Sequence, residues 1–322
     1  MRISREERKN TARELIRFLE ESPTCFHAVK NLARELEAAG FEELKENEVW
    51  NLSEHKNYYV TRNQSSIIAF RLPSKEFKGY QIMASHSDSP TFKIKENPEM
   101  EAENHYVKLN VEKYGGMLCA PRFDRPLSVA GRLVVREGER LVTKLVNADR
   151  DLLMIPNLAI HMNREVNDGY KYNAQVDMLP LYGTMEAKGT FMKTMAEEAG
   201  VKEEDILGHD LFLYNRMPGT IWGAEDDFVS CGRLDDLQCA FASLKGILSG
   251  GHPSSVSVMA VLDNEEVGSG TKQGADSTFL EDVLKRINRG LGRSEEQYLM
   301  ALSSSFMVSA DNAHAVHPNH GE

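Results

Sequence analysis

The sequence predicts an α/β protein: a mostly parallel sheet flanked by helices, interrupted by an inserted, mainly β domain. Three observations lead there. Apolar, β-rich runs alternate with amphipathic helical stretches in the first and last thirds of the chain. The stretch between them changes to strands at hairpin spacing. Finally, four short motifs fall at strand ends or at the loop entering a helix: ASHSDSP at 84–90, GRLDDL at 232–237, LDNEEVGSG at 262–270 and SADNAHAVHP at 309–318. Parallel sheets place their sites beyond the carboxyl ends of their strands, so the motifs and the architecture point to the same place.

The elements follow in order. Residues 6–20 and 25–39 read as helices, the second stopped by Gly40. SSIIAFRLP (65–73) and GYQIMASHS (79–87) are apolar enough for strands covered on both faces. HYVKLNVEKY, PLSVAGRLVVRE and RLVTKLVN then suggest hairpins, followed by a loop-rich stretch with many Asn and Met residues. DDLQCAFASLKGILSGG puts Leu237, Ala240, Phe241 and Leu244 on one helical face and stops at Gly250-Gly251. SSVSVMAVLDNEE reads as a buried strand ending in acid. A helix near 277–289 and one more apolar run, YLMALSSSFMVSAD, complete the pattern. The expected organisation is a split α/β domain, 1–100 with 221–322, around an insert at 101–220.

Composition narrows the function. A chain of 322 residues with 41% apolar and 27% charged residues has the make-up of a globular protein with a sizeable core. Its net charge of -11 offers no basic stripe for nucleic acid. No apolar run is long enough to span a membrane, and the N-terminal helix lacks the apolar block of a secretion signal. Cys25, Cys119, Cys231 and Cys239 show no C-x-x-C pair, so a reducing, cytoplasmic setting is expected.

The motifs carry His and carboxylate, the ligands of hydrolytic metal ions. In an extended segment Asp88 points to the same side as His86 and could accept the second ring N–H of a metal-bound imidazole. Alone, an H-x-D suits a polar surface turn better. Asp235 and Asp236 could be helix caps. Asp263, Glu265 and Glu266 crowd a strand end, which is costly unless a cation is present or one carboxyl stays protonated. Adjacent Glu265 and Glu266 could divide the work by facing opposite ways, one on the metal and one on its water. Asp311 ends another apolar run. His314, His317 and His320 recur at steps of three, but Pro318 breaks any shared helical face, so they suit loop shaping better than joint ligation. Cys231 and Cys239 flank Asp235, yet thiolates are uncommon in hydrolytic zinc sites.

Taken together, SHSDSPTFKIK, LNVEKYGGM, FDRPLSVAGR, IPNLAIHM, GRLDDL, DNEEVGSGT and SADNAHAVHPN resemble the aspartyl aminopeptidase family of dinuclear zinc metallopeptidases. The resemblance implies a zinc exopeptidase-like fold with an inserted dimerisation domain. It implies two Zn2+ per subunit, with Co2+ or Mn2+ as possible substitutes. His86 and Asp311 would then hold one ion, Asp235 would bridge, and Glu266 would hold the other. Glu265 corresponds to the general base, Asp88 to the residue orienting His86, and His161 to a histidine reaching a neighbouring active site. Substrates would be peptides with a free N-terminus, with Asp or Glu preferred, and the assembly a homo-oligomeric dodecamer built from dimers. Arg122 and Asn157 depart from the aromatic residue and the His usual at those positions.

The family also continues past the HPN segment, with a glycine-rich loop and a last histidine that completes the second zinc's shell. This sequence stops at Glu322, eleven residues beyond Asp311. Two other readings therefore stand beside the aminopeptidase: a related dinuclear amide hydrolase (deacylase or carboxypeptidase), and a catalytically inactive subunit.

Overall fold

The computed structural model of the chain describes residues 4–322. Helices α1 (Arg5–Glu20) and α2 (Cys25–Ala38) come first, then strands β1 (Glu42–Leu44), β2 (Asn57–Arg62), β3 (Ser66–Arg71) and β4 (Gly79–His86). Next are β5 (Thr91–Ala102), β6 (Tyr106–Tyr114), β7 (Leu127–Glu137), β8 (Arg140–Asn147), α3 (Ala174–Asp177), β9 (Leu181–Thr184), α4 (Phe191–Ala199) and β10 (Ile206–Asn215). The hairpin β11 (Thr220–Trp222) and β12 (Phe228–Ser230) precedes α5 (Leu234–Ser249), β13 (Ser255–Leu262), α6 (Phe279–Gly290), α7 (Glu295–Ser303) and β14 (Phe306–Ser309).

The chain divides into two units, Met1–Ser89 with Arg233–Glu322, and Pro90–Gly232. These borders lie about ten residues from the 100/101 and 220/221 boundaries that composition suggests. TFKIK looks like a continuation of the first apolar region, but it begins β5, which pairs with β6 in the second unit's sheet.

In the first unit the sheet order is β1-β2-β3-β13-β4-β14. Strands β13 and β14 run parallel to β4, whereas β3 runs antiparallel to β13. The two-residue period of the strands sorts side chains by face. Ile68, Phe70, Tyr80, Val258 and Ala260 pack with Phe279, Val283 and Ile287 of α6. Helix α5 lies against β4 and β13, using the apolar stripe of Leu237, Ala240 and Leu244. A Cβ at Gly79 would sit 2.6 Å from the Ser304 carbonyl oxygen, so only glycine lets β4 start beneath the turn that leaves α7.

The last apolar run is not one strand. Ser294 accepts the Gln297 N–H while the Gln297 side chain accepts that of Ser294, a reciprocal cap that starts α7. YLMALS is therefore helical, and only Phe306–Ser309 reaches the sheet. Nor does the sequence reading identify β2 or β10 as strands.

The second unit is built on an antiparallel sheet, β8-β7-β10-β5-β6-β9. Phe92, Ile94, Leu109, Val129, Leu133 and Leu211 form its core with Phe191 and Met195 of α4. Gly131 stands opposite Leu211 across β7 and β10, where a Cβ would meet the Asp210 backbone. Arg122 donates through Nη2 to the Pro90 carbonyl at 2.7 Å.

Near the start of α2, Nδ1 of His27 lies 2.8 Å from Thr24 Oγ1. Burial, and secondarily the charge of Lys30, lowers its pKa from the usual 6.5 to about 4. Between those pH values the unfolded chain binds a proton that the folded chain refuses, so stability should fall as pH drops from about 6.5 to about 4. Thermal denaturation at pH 7.5 and pH 5 should show the native chain losing more stability than His27→Gln. Equal losses in the two proteins would exclude His27 as the source.

Candidate metal centre

The site is set by the parallel pairing of β4 with β13, in which His86 stands opposite Leu262. Both strands end there, so the residues that follow are released at one level of the sheet. On the other flank β14 pairs with β4 up to Ser309–Ala84, and the Ala310 N–H donates to the Ala84 carbonyl at 2.7 Å. That brings Asp311 beside His86. The fourth contribution comes from the first turn of α5, where Asp235 and Asp236 have non-helical backbone angles. Asn312 Nδ2 donates to the Leu234 carbonyl and Ser89 Oγ to that of Asp235, tying this turn to both neighbouring strand ends.

His86 is only 5% exposed, and its two ring nitrogens face different surroundings. Nδ1 lies 3.1 Å from the Asp88 backbone oxygen and 3.3 Å from its carboxylate. Nε2 lies 3.4 Å from Asp235 Oδ1 and 3.9 Å from both Glu265 Oε2 and Asp311 Oδ1. With the proton on Nδ1, the Nε2 lone pair points into the acidic cluster. Ligand atoms of His86, Asp235, Asp236 and Asp311 lie within 4.8 Å of one another, as do those of His86, Glu265 and Glu266. The Asp235, Glu265 and Asp311 side chains are each at least half exposed, so the cluster opens to solvent above a buried imidazole.

Asp88 does more than orient His86. One carboxylate oxygen accepts the Glu265 N–H and the other that of Glu266, both at 3.2 Å. One buried side chain thus fixes the imidazole and the backbone that carries both glutamates. Asn264, with φ of +64°, turns the chain into the short 3-10 segment Glu265–Val267. Its side-chain oxygen accepts from Thr271 Oγ1 and Gln273 Nε2. In that turn Glu265 and Glu266 converge on His86 rather than facing opposite ways, because 3-10 geometry lacks the alternation of a strand.

Crowding shows in the proton affinities. Burial, with further contributions from Asp235, Asp88 and Glu265, pushes Glu266 up to about 7. Burial and the Asp311 charge raise Asp235. Burial also lifts Asp236 and Asp263 to about 6. Burial alone would lower His86, but the hydrogen bond and charge of Asp88 outweigh it and hold the imidazole at about 9. The acids resist ionising and the imidazole retains its proton. A divalent cation would take the place of that proton on Nε2 and supply the positive charge the acids lack, so this donor set fits zinc.

The structure brings His86, Asp88, Asp235, Glu265, Glu266 and Asp311 together. His161 belongs to the other unit, in an exposed turn. The His317 and His320 rings lie 5.1 Å apart, tilted at 40°, outside the metal-competent groups, with His317 Nδ1 accepting the Asn319 N–H. Asp236, which reads in the sequence as a cap, is wholly buried; it accepts the His86 N–H at 3.1 Å and a hydrogen bond from Cys239. The thiol, pushed up to about 12 by burial and by Asp236, is thus a partner of the acid and not a ligand. Only the apolar stripe beginning at Leu237 could have hinted that Asp236 faces inward.

Comparison with known proteins identifies the surroundings of this cluster. Residues 18–322 match the family described as aminopeptidase I zinc metalloprotease (M18). The chain is 48% identical over 319 residues to a probable M18 family aminopeptidase 2 of Clostridium acetobutylicum, covering 97% of this chain and 74% of the relative. A protein with the same description from Stutzerimonas stutzeri is 40% identical over 96% of this chain. Among solved structures, a chain in the cryo-EM structure of the Ape4 and Nbr1 complex superposes with a TM-score of 0.94 at 34% identity, covering all of this chain and 67% of that one. The Saccharomyces cerevisiae mApe1 dodecamer structure matches at 0.82 and 27% identity, over 98% of this chain and 74% of its own.

An amide at position 88 would turn a donor toward one of the two backbone N–H groups it now accepts. Asp88→Asn should therefore lower zinc affinity by about 10–100-fold in competition with a chromogenic chelator, while far-UV circular dichroism stays native. Unchanged affinity would mean that the strand ends hold their geometry without Asp88.

Proposed function

Because the chain belongs to the M18 family of zinc aminopeptidases, we propose that it removes N-terminal residues, Asp or Glu preferentially, from peptides with a free amino end. One observation supports this reading above others: a single imidazole nitrogen faces Asp235, Asp311 and Glu265, with Glu266 in the same cluster. We assign His86 and Asp311 to one zinc, Asp235 as the bridge and Glu266 to the other. When bound, the two ions would polarise the scissile carbonyl and acidify a shared water.

The chain's own groups do the rest. Glu265, half exposed and fixed through its backbone to Asp88, takes the water's proton and returns it to the departing amine. Asp88 keeps the His86 proton on Nδ1, leaving Nε2 free to coordinate. Asp236 holds the end of β4 in place through the His86 N–H. His161 from a neighbouring subunit would stabilise the oxyanion of the tetrahedral intermediate.

That last role requires an assembly, and we read the protein as a homo-oligomer, a dodecamer built from dimers. The dodecameric architecture of the mApe1 relative supports this. So do the exposed apolar residues Leu158, Ile160 and Met162 beside His161, a patch suited to a subunit contact. No helix among the described residues is long and apolar enough to cross a membrane. All four cysteines remain thiols, which suits the cytoplasm.

Hydrolysis of Asp-, Glu- and Leu-anilides against N-acyl amino acids, with zinc content measured on the same sample, tests the reading. Two zinc ions per chain and faster cleavage of the acidic anilides are expected. Turnover confined to N-acyl substrates would favour the deacylase branch; fewer than two ions without turnover would favour an inactive subunit. Glu265→Gln should retain zinc and lose at least about 10²-fold in kcat. Undiminished turnover in that variant would remove Glu265 from the base role.

A further inference from the structure

Strand β13 runs from Ser255 to Leu262, and the acidic cluster lies past Leu262. At its other end, about 25 Å away along the strand, the first unit has a second polar site. A surface pocket of about 430 Å³ lies between the residues leading into β13, the end of β3 and the start of β2. The polar residues that line it are His55, Asn57, Arg71 and His252. No carboxylate lines it, although the chain carries 49 Asp and Glu residues against 38 Lys and Arg.

The cation in this pocket is held firmly. Arg71 Nε donates to the Ile247 carbonyl at 2.6 Å and Nη2 to that of Leu248 at 3.3 Å, both in the last turn of α5. Its guanidinium lies 5.0 Å from the centre of the Phe41 ring. Gly251 passes directly over its stem; a Cβ there would lie 3.4 Å from Arg71 Cδ. Of five guanidinium N–H groups these contacts occupy two, and no other partner engages Arg71 among the described residues.

The two imidazoles are also placed by backbone contacts. His252 Nδ1 accepts the Ser254 N–H at 3.2 Å, which puts the ring proton of the neutral form on Nε2, a donor with no partner among the described residues. His55 is held with φ of +61°, its N–H donating to the Pro73 carbonyl at 3.1 Å. A non-glycine residue in the left-handed region is uncommon and is kept there by its surroundings. The pocket thus offers a fixed guanidinium, two imidazoles and an amide, and lies within the usual range of about 300–1,000 Å³ for small-ligand sites.

We propose that this pocket binds a small organic oxyanion, a carboxylate or a phosphate ester, through Arg71, His252 and His55. A cation is disfavoured by the permanent charge of Arg71, and an uncharged ligand would leave that charge unmatched. None of the groups assigned to metal or catalysis takes part, so the site stands or falls independently of the proposed reaction.

The test is histidine-ring ¹H–¹⁵N NMR on the 322-residue chain at pH 6 and constant ionic strength, titrated with inorganic phosphate in one arm and acetate in the other. Saturable shifts of the His55 and His252 rings are expected in at least one arm, with the His86 ring unmoved. A response to phosphate alone would identify phosphate esters as the source, and a response to acetate, carboxylates. His252→Ala, a change at an exposed position, should weaken the His55 response at least about fivefold, or roughly 1 kcal/mol, with native circular dichroism. Shifts that are absent or non-saturating in both arms up to about 50 mM, or an unchanged His55 response in the variant, would overturn the proposal.

Discussion

His86 stands opposite Leu262 where β4 and β13 run side by side, and the rest of the centre depends on that register. A slip of one residue would turn the imidazole to the other face of the sheet and carry Ser87 into its place. The register is held by an apolar ladder with no polar alternative, since Val256, Val258 and Ala260 are buried opposite Tyr80, Ile82 and Ala84. Beyond the ladder, Asp88 takes over. It converts the alignment of two strands into the alignment of two side-chain sets, because its carboxylate belongs to one strand end and its acceptors' partners to the other.

The cluster assembled this way is an electrostatic debt within a well-packed fold. Asp235, Asp236, Glu266 and Asp263 are all raised, with burial the largest cause for each. Structural ion pairs elsewhere in the chain behave oppositely: Asp210, between Lys93 and Arg132, is lowered despite its burial. Asp210 has two cations against it, whereas burial dominates at the raised acids. Asp263 is surrounded by donors from Asn264 and Gln273, which bring it some relief without a cation.

Much of this was readable in the sequence because the residues that matter end apolar strands, where burial stops and chemistry begins. His86, Asp88, Glu265, Glu266 and Asp311 all announce themselves by position. Asp236 does not, since an acid in the first turn of a helix has an ordinary role there, and only the three-dimensional approach of β4 gives it another. The helix α7 was hidden by its own composition: Leu and Met serve helix and strand alike, and its cap at Ser294 lies outside the apolar run. The border of the insert was misplaced for a related reason, as β5 continues the apolar character of the first unit while pairing in the second. The part proposed for His161 is of another kind, because it would act on a different chain.

The split of the first unit has a bearing on biogenesis. His86 and Asp88 leave the ribosome well over a hundred residues before Asp235 and Asp311, so the nascent chain cannot assemble the ligand set until the whole of 90–232 has been made. The chain leaves the first unit after Ser89 and returns to it beside Asp235, whose carbonyl accepts from Ser89 Oγ at 2.7 Å. Once 90–232 has folded, its two ends therefore have to be brought together only across a short gap, and the entropy of closing so long a loop is already spent. Assembly of the cluster becomes a late event in synthesis, timed by a segment that supplies none of its side chains.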